Sequence, residues 1–181
     1  MKVIALGGAG AMGSLSVRVL AASSLVSEIV IADYNRSAAE KLARELGNKC
    51  RAVAVNAEDA EGLAAAIRGF DVALGTIGPF YKYEAAMIQA CIRAGVDYVS
   101  ICDDYDGAAA ALDLDEQARK AGITAITGVG WTPGITNMLV SLGTADFQQP
   151  DRVDVYWGCH AADTTGKAVT LHTLPIFSGF V

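Results

Sequence analysis

The chain has 181 residues, 52% of them hydrophobic and 19% charged, with a formal net charge of −6. This is apolar material for the core of one ordinary domain plus a remainder, and it excludes disorder, which needs low hydrophobicity and long charge runs. The acidic balance, with 14 scattered Lys and Arg, argues against a nucleic-acid binder; no stretch reaches the roughly 18 apolar residues of a membrane span, and Met1-Lys2-Val3-Ile4 runs into glycines without a leader, so the expected location is cytoplasmic.

The first apolar run, Val3 to Leu6, leads into Gly8-Ala9-Gly10-Ala11-Met12-Gly13, which fits G-x-G-x-x-G between a strand and a helix. In that pattern Gly8 permits a tight turn, Gly10 lets the backbone approach a pyrophosphate, and Gly13 lets the helix pack on the sheet. The helix start offers unpaired N–H groups, of which Ala11 and Met12 carry the first, to a phosphate. A plain packing turn is the alternative for the loop alone. A second run, Ile29 to Ala32, ends at Asp33, twenty residues after Gly13, where a carboxylate accepts hydrogen bonds from an adenosine ribose diol. The adjoining Tyr34, Asn35 and Arg36 belong to the same candidate site. A carboxylate beside a 2′-phosphate is a like-charge contact, so Asp33 leans toward NAD. NADP stays open because Arg36 could clamp that phosphate, stack on the adenine, or lie in solvent.

Ala39, Leu42, Ala43 and Leu46 recur at helical spacing, as do Ala60, Leu63, Ala64 and Ile67, and then Ala85, Ile88, Cys91 and Ile92. Glycines at 47, 69, 95 and 122 close these segments, as expected of helix C-termini. Between them lie short, barely alternating runs at 52–55, 72–74, 98–101 and 123–126, the pattern of strands covered on both faces. Six strands alternating with helices predict an α/β fold, a doubly wound parallel sheet of the Rossmann type. Its strand ends should line a cleft: Asn56 and Ala57 after the third, Gly75, Thr76, Ile77 and Gly78 after the fourth, the segment from Ile101 to Tyr105 after the fifth, and Gly128 to Gly134 after the sixth. Glycines after the fourth strand would let the backbone approach a dinucleotide, and Thr132-Pro133 reads as an N-cap with proline in the first helical position.

The pattern stops near Gln148-Gln149-Pro150-Asp151, a polar stretch that reads as a linker. Residues 1–148 are expected to form the dinucleotide-binding domain and 149–181 a linker and the opening of a second α+β domain; residues 153–157 alternate like a strand, which could instead extend the first sheet. The four cysteines are never spaced for zinc or redox chemistry, so no metal is expected. They read as small buried hydrophobes, with Cys102 either lining the cleft or filling the core. His160 and His172 read as structural or exposed. For a base near the cleft the candidates are Asp103, Asp104 and Tyr81, with Tyr105 and Lys82 behind them; Asp103 and Asp104 could merely cap the following helix.

Taken together, the loop at Gly8 to Gly13, Gly78-Pro79-Phe80, Ala118 to Ile123, and above all Gly130-Trp131-Thr132-Pro133-Gly134-Ile135-Thr136-Asn137 resemble the saccharopine dehydrogenase-like family, including its lysine dehydrogenase branch. The resemblance spans roughly residues 1–160. It implies NAD(P)-dependent hydride transfer at the C–N bond of an amino-acid substrate, together with a second α+β domain that closes the cleft and often mediates homodimer formation. Many relatives carry an acid in the fifth strand where Ser100 stands here, and relatives are about twice as long. Two other readings remain open: a nucleotide-sensing regulatory module without turnover, and a reductase of another small carbonyl substrate.

Overall fold

The computed structural model describes residues 1–156 together with Gly158 and His160. In chain order the elements are β1 (Lys2–Leu6), α1 (Ala11–Ala22), β2 (Glu28–Asp33), α2 (Arg36–Leu46), β3 (Cys50–Ala54), α3 (Ala60–Ile67), β4 (Val72–Gly75), α4 (Phe80–Ala94), β5 (Asp97–Ser100), α5 (Tyr105–Leu112), α6 (Asp115–Ala121), β6 (Ala125–Ile126) and α7 (Ile135–Gly143). The strands form one sheet in the order β3-β2-β1-β4-β5-β6, and every neighbouring pair is parallel. This is the doubly wound dinucleotide-binding arrangement, whose strand order reverses between β1 and β4.

The unalternating strands follow from burial on both faces. Val3, Ala5, Ile29 and Ile31 pack against Val17 of α1 and Ala39, Leu42 and Ala43 of α2. Their neighbours Ile4, Leu6, Val30 and Ala32 turn to the opposite face, against Leu63, Ala64 and Ile67 of α3 and Met87, Ile88 and Cys91 of α4. Each of the large side chains contributes on the order of 1.5–3 kcal/mol through removal from water. The expected helical stripes are those that bury, except that Ala60 begins α3 in solvent. The helix-ending glycines 47, 69, 95 and 122 all have positive φ.

The sixth strand is shorter than expected. Ile123 is buried, but only Ala125 and Ile126 pair with β5, and both are exposed. α7 buries none of its residues, so cover on that side of the sheet edge is missing among the described residues. Thr132-Pro133 does not open α7 as expected: the peptide is cis, Gly134 is the N-cap, and its N–H donates to Asn137 Oδ1 at 3.0 Å. Residues 153–156 form no strand, and Arg152 pairs with Asp154 at 2.9 Å. Trp157, Cys159, His172 and the apolar tail at 170–181 lie outside the described residues. Among those described, no helix is long and apolar enough to cross a membrane.

Candidate functional site

A cavity of about 690 Å³ opens at the carboxyl ends of β1 and β4, where the strand order reverses, a size and position usual for cofactor sites. Its lining joins the first loop (Gly7, Gly10, Ala11, Met12), the β2 end (Asp33, Tyr34), the β3 end (Asn56, Ala57, Glu58), the β4 end (Thr76, Ile77, Gly78) and the β5 end (Asp103, Asp104). Five segments far apart in sequence therefore meet because parallel strands deliver all their carboxyl ends to one edge.

The first loop works differently from its expected assignment at one position. The residue with left-handed backbone is Gly7, with φ of 79°, and its N–H donates to Ala32 O at 2.7 Å. Gly8 is buried outside the lining; a Cβ there would come within 2.9 Å of Ala5 O and 3.1 Å of Ile31 Cγ2. The tight turn thus belongs to Gly7, and Gly8 lies flush on the sheet. Gly13 has its expected packing role: a Cβ would overlap Gly7 O and meet Thr76 Oγ1 at 2.7 Å. Gly10 N-caps α1 without a side chain, so the cradle at Gly7, Gly10 and Ala11 presents backbone and one methyl. The opening amides of a helix point outward unpaired, with partial positive charge. These features fit a diphosphate.

Asp33 closes the same wall. Its Oδ2 accepts the Ala9 N–H at 3.0 Å and its Oδ1 accepts the Asn35 N–H at 2.9 Å. The carboxylate braces the glycine loop while retaining lone pairs for ribose hydroxyls. Asn35 caps α2 by accepting the Ala38 N–H at 3.1 Å, outside the lining. Arg36 also lies outside it, exposed and paired with Glu40 at 2.8 Å.

On the far side the expectations separate. Asp103 is exposed and lines the cavity. Asp104 also lines it but is buried, and Oδ2 accepts the Tyr81 N–H at 3.0 Å. It therefore caps α4, the preceding helix in the chain, and makes no side-chain cap to α5. Tyr81 contributes that backbone N–H; its side chain is half exposed and outside the lining. Lys82 pairs with Glu58 at 2.7 Å, an exposed contact that lowers the pKa of Glu58 first through their hydrogen bond. Tyr105 is exposed, and the loop at 128–134 misses the cavity because β6 lies two strands away from β4. Cys102 is core filler: buried, outside the lining, and with its thiol pushed up to about 11 mainly by desolvation. His160 is exposed.

Gly75 also changes role. A Cβ there would run into the Tyr98 hydroxyl, so this glycine makes room for a side chain and does not line the cavity. The Tyr98 hydroxyl donates to Glu84 Oε2 at 2.8 Å, while Ser100 and Thr127 hydroxyls donate to Oε1 at 2.6 and 2.9 Å. Ser100, the departure noted from relatives with an acid in the fifth strand, donates to a carboxylate supplied by α4. Burial raises the Glu84 pKa, against the opposing pull of these hydrogen bonds. Glu84, and Glu58 and Tyr83 of the cavity lining, are missing from the sequence reading. For Glu84 a signal existed: Phe80, Glu84, Met87, Ile88 and Cys91 occupy one helical stripe, all buried.

The family described as "Saccharopine dehydrogenase NADP binding domain" matches residues 3–126. A carboxynorspermidine synthase from Vibrio alginolyticus is 24% identical over 177 residues, covering 86% of this chain and 42% of that protein. A carboxyaminopropylagmatine dehydrogenase from Synechocystis is 23% identical over 150 residues, with 78% and 37% covered. The chain thus spans less than half the length of these curated relatives. Among solved structures, an apo saccharopine dehydrogenase (L-Glu forming) from Saccharomyces cerevisiae superposes with a TM-score of 0.70 at 24% identity, covering 81% of this chain and 31% of that one. A Citrobacter triphenylmethane reductase complexed with NADP(H) reaches 0.53 at 20% identity, over 70% of this chain and 48% of that one.

Proposed function

Because the chain belongs to the family of saccharopine dehydrogenase NADP binding domains, we propose that it is the coenzyme-binding part of an NAD(P)-dependent oxidoreductase acting at the C–N bond of an amino acid or an amino-acid-derived amine. The observation that carries this reading is the cavity at the β1–β4 crevice, where the bare backbone of Gly7 and Gly10 faces Asp33. Amides at the start of α1 would hold the diphosphate, Asp33 the adenosine ribose, and Thr76 to Gly78 the second mononucleotide.

When bound, the coenzyme supplies or accepts the hydride. The protein orients the reacting carbon, excludes water and holds a proton. Asp103, exposed on the cavity wall, is the acid–base group of this reading: its carboxylate takes a proton from an ammonium before oxidation or returns one in reduction. Asp104 is assigned to holding the first turn of α4, and Tyr81 to receiving that cap. NADP is the form named in the family's description, whereas Asp33 suits the free diol of NAD. Residues 149–181 are assigned to a linker and the start of a second α+β domain. Substrate choice and homodimer formation belong to the longer protein, whose location we take to be the cytoplasm.

Fluorescence titration with NADH and NADPH tests the reading. Saturable binding of either is expected, and the lean toward NAD is overturned if NADPH binds about tenfold tighter, a difference of roughly 1.4 kcal/mol. No binding of either at millimolar concentration overturns the assignment. Coenzyme binding by the whole protein without turnover of any amine favours the nucleotide-sensing alternative.

A further inference from the structure

Glu84 is a buried carboxylate with no part in the proposed chemistry. It lies on α4, yet its three partners come from two other segments: Tyr98 and Ser100 of β5, and Thr127 just past β6. Ser100 relays the contact onward. Its Oγ accepts the Cys102 N–H at 3.4 Å, and its carbonyl accepts the Val129 N–H at 2.8 Å. Cys102 starts the turn that carries Asp103 and Asp104 to the cavity, and its thiol donates to Asp104 O at 3.6 Å. Asp104 then returns to α4 through the Tyr81 N–H. The circuit from α4 to β5 to the loop and back to α4 is closed.

Backbone pairing is short at this end. β6 pairs through Ala125 and Ile126, flanked by single bonds from the Tyr98 N–H to Thr124 O and from the Val129 N–H to Ser100 O, and the loop from Ile101 to Asp104 has no regular structure. A parallel strand this short and exposed is weakly held by its ladder, so side-chain hydrogen bonds in low dielectric carry the geometry. Gly75 belongs to the same device, since only a residue without Cβ leaves room for the Tyr98 hydroxyl.

We infer that Glu84 is a positioning residue: by clamping Tyr98, Ser100 and Thr127 it sets the Cys102–Asp104 turn, and with it the wall of the cavity facing the nicotinamide half of the coenzyme. The inference rests on the dinucleotide reading, in which Asp33 and the first loop hold the adenosine half. It acts on one half of the ligand only, and the experiment exploits that.

Affinities for NADH, for NADPH and for ADP-ribose, which lacks the nicotinamide, are measured on the full chain alongside thermal unfolding. For Glu84→Ala the better-bound dinucleotide is expected to bind about tenfold more weakly, as an unpinned wall must be ordered on binding. ADP-ribose is expected to stay within about twofold of wild type, a change near the resolution of such measurements. Glu84→Gln, whose amide oxygen still accepts from Ser100 and Thr127, is expected to restore dinucleotide affinity. Gly75→Ala, which displaces Tyr98 from the other side, is expected to reproduce the alanine phenotype. Unchanged dinucleotide affinity in a folded Glu84→Ala overturns the inference, as does equal loss of dinucleotide and ADP-ribose. Should Glu84→Ala not fold, Ser100→Ala decides by the same comparison. A wild-type chain that binds none of the three ligands sinks the dinucleotide reading and this inference with it; failure of the inference alone leaves wild-type binding intact.

Discussion

The two halves of the sheet hold their parts of the cavity in different ways. In the half made of β1, β2 and β3, backbone groups do most of the holding, with one carboxylate bracing them. The Gly7 N–H reaches Ala32 O, the Gly10 N–H reaches Gly7 O at 2.9 Å, and Asp33 accepts two backbone amides. In the half made of β4, β5 and β6, the wall hangs on side chains: Glu84 grips three hydroxyls and Asp104 caps α4. Backbone geometry tolerates few residue types and therefore writes a motif, whereas a side-chain clamp can be built from many combinations and writes none. Helices cover β1 and β2 on both faces, while β3 at one edge is only partly buried and β6 and α7 at the other edge bury almost nothing.

The sharpest way to break this contrast is Gly13→Val. A β-branched side chain there must displace Gly7 O and Thr76 Oγ1, and overpacking of this kind costs about 3 kcal/mol. Urea unfolding is expected to show that loss, together with abolished NADH and NADPH binding; a stable variant that binds would mean the loop is not backbone-locked. Gly75→Ala comes next, at about 2 kcal/mol, because the Tyr98 ring must shift and leave a buried hydroxyl poorly paired. Asp33→Asn is milder for folding, at about 1 kcal/mol, since one backbone amide loses its acceptor. Its mark is a selective loss of NADH over NADPH affinity.

pH separates the halves as well. Burial raises the Glu84 pKa, against the hydrogen bonds from Ser100, Tyr98 and Thr127 that lower it, and the neighbouring Cys91, Tyr98 and Cys102 are themselves pushed up by burial and stay neutral around it. The folded state therefore holds this proton more tightly than the unfolded one. Its contribution to stability is complete below the ordinary glutamate pKa and fades as pH rises through the raised value. Stability curves of wild type and Glu84→Gln are expected to diverge in that window, with the variant losing less as pH increases; parallel curves would show Glu84 is not the group responsible. The smallest effect is expected from Arg36→Ala. An exposed pair with Glu40 contributes little, and NADH affinity should move less than about twofold. A drop confined to NADPH would show that Arg36 leaves Glu40 for the 2′-phosphate.

Much of this was legible beforehand, for reasons that differ by position. Asp33, Asn56, Ala57, Thr76, Ile77 and Gly78 are locatable as cavity lining because a parallel sheet sends every strand end to one edge, so finding strands finds the cavity. Gly8 was assigned the turn that Gly7 makes because several glycines stand together, and only the path from β1 across to Ala32 decides which one takes positive φ. For Asp104 the sequence offers a base near the cleft or a cap for the helix that follows it, the local partner. Its actual partner, Tyr81, lies 23 residues earlier and becomes a neighbour only when β4 and β5 pair. Arg36 sits one residue past its helix cap and turns to Glu40, a choice between solvent, ligand and ion pair that residue spacing leaves open.

The sequence alone determined that this is a doubly wound sheet with a glycine loop at its first turn and an acid at its second strand, because apolar periodicity and glycine restrictions are local properties of the chain. The tertiary structure decided how the other wall is held. Glu84, Tyr98, Ser100 and Thr127 span residues 84–127 and carry no shared spacing. They become one polar cluster only because α4 packs on the strands that follow it, where low dielectric makes each unmade hydrogen bond costly.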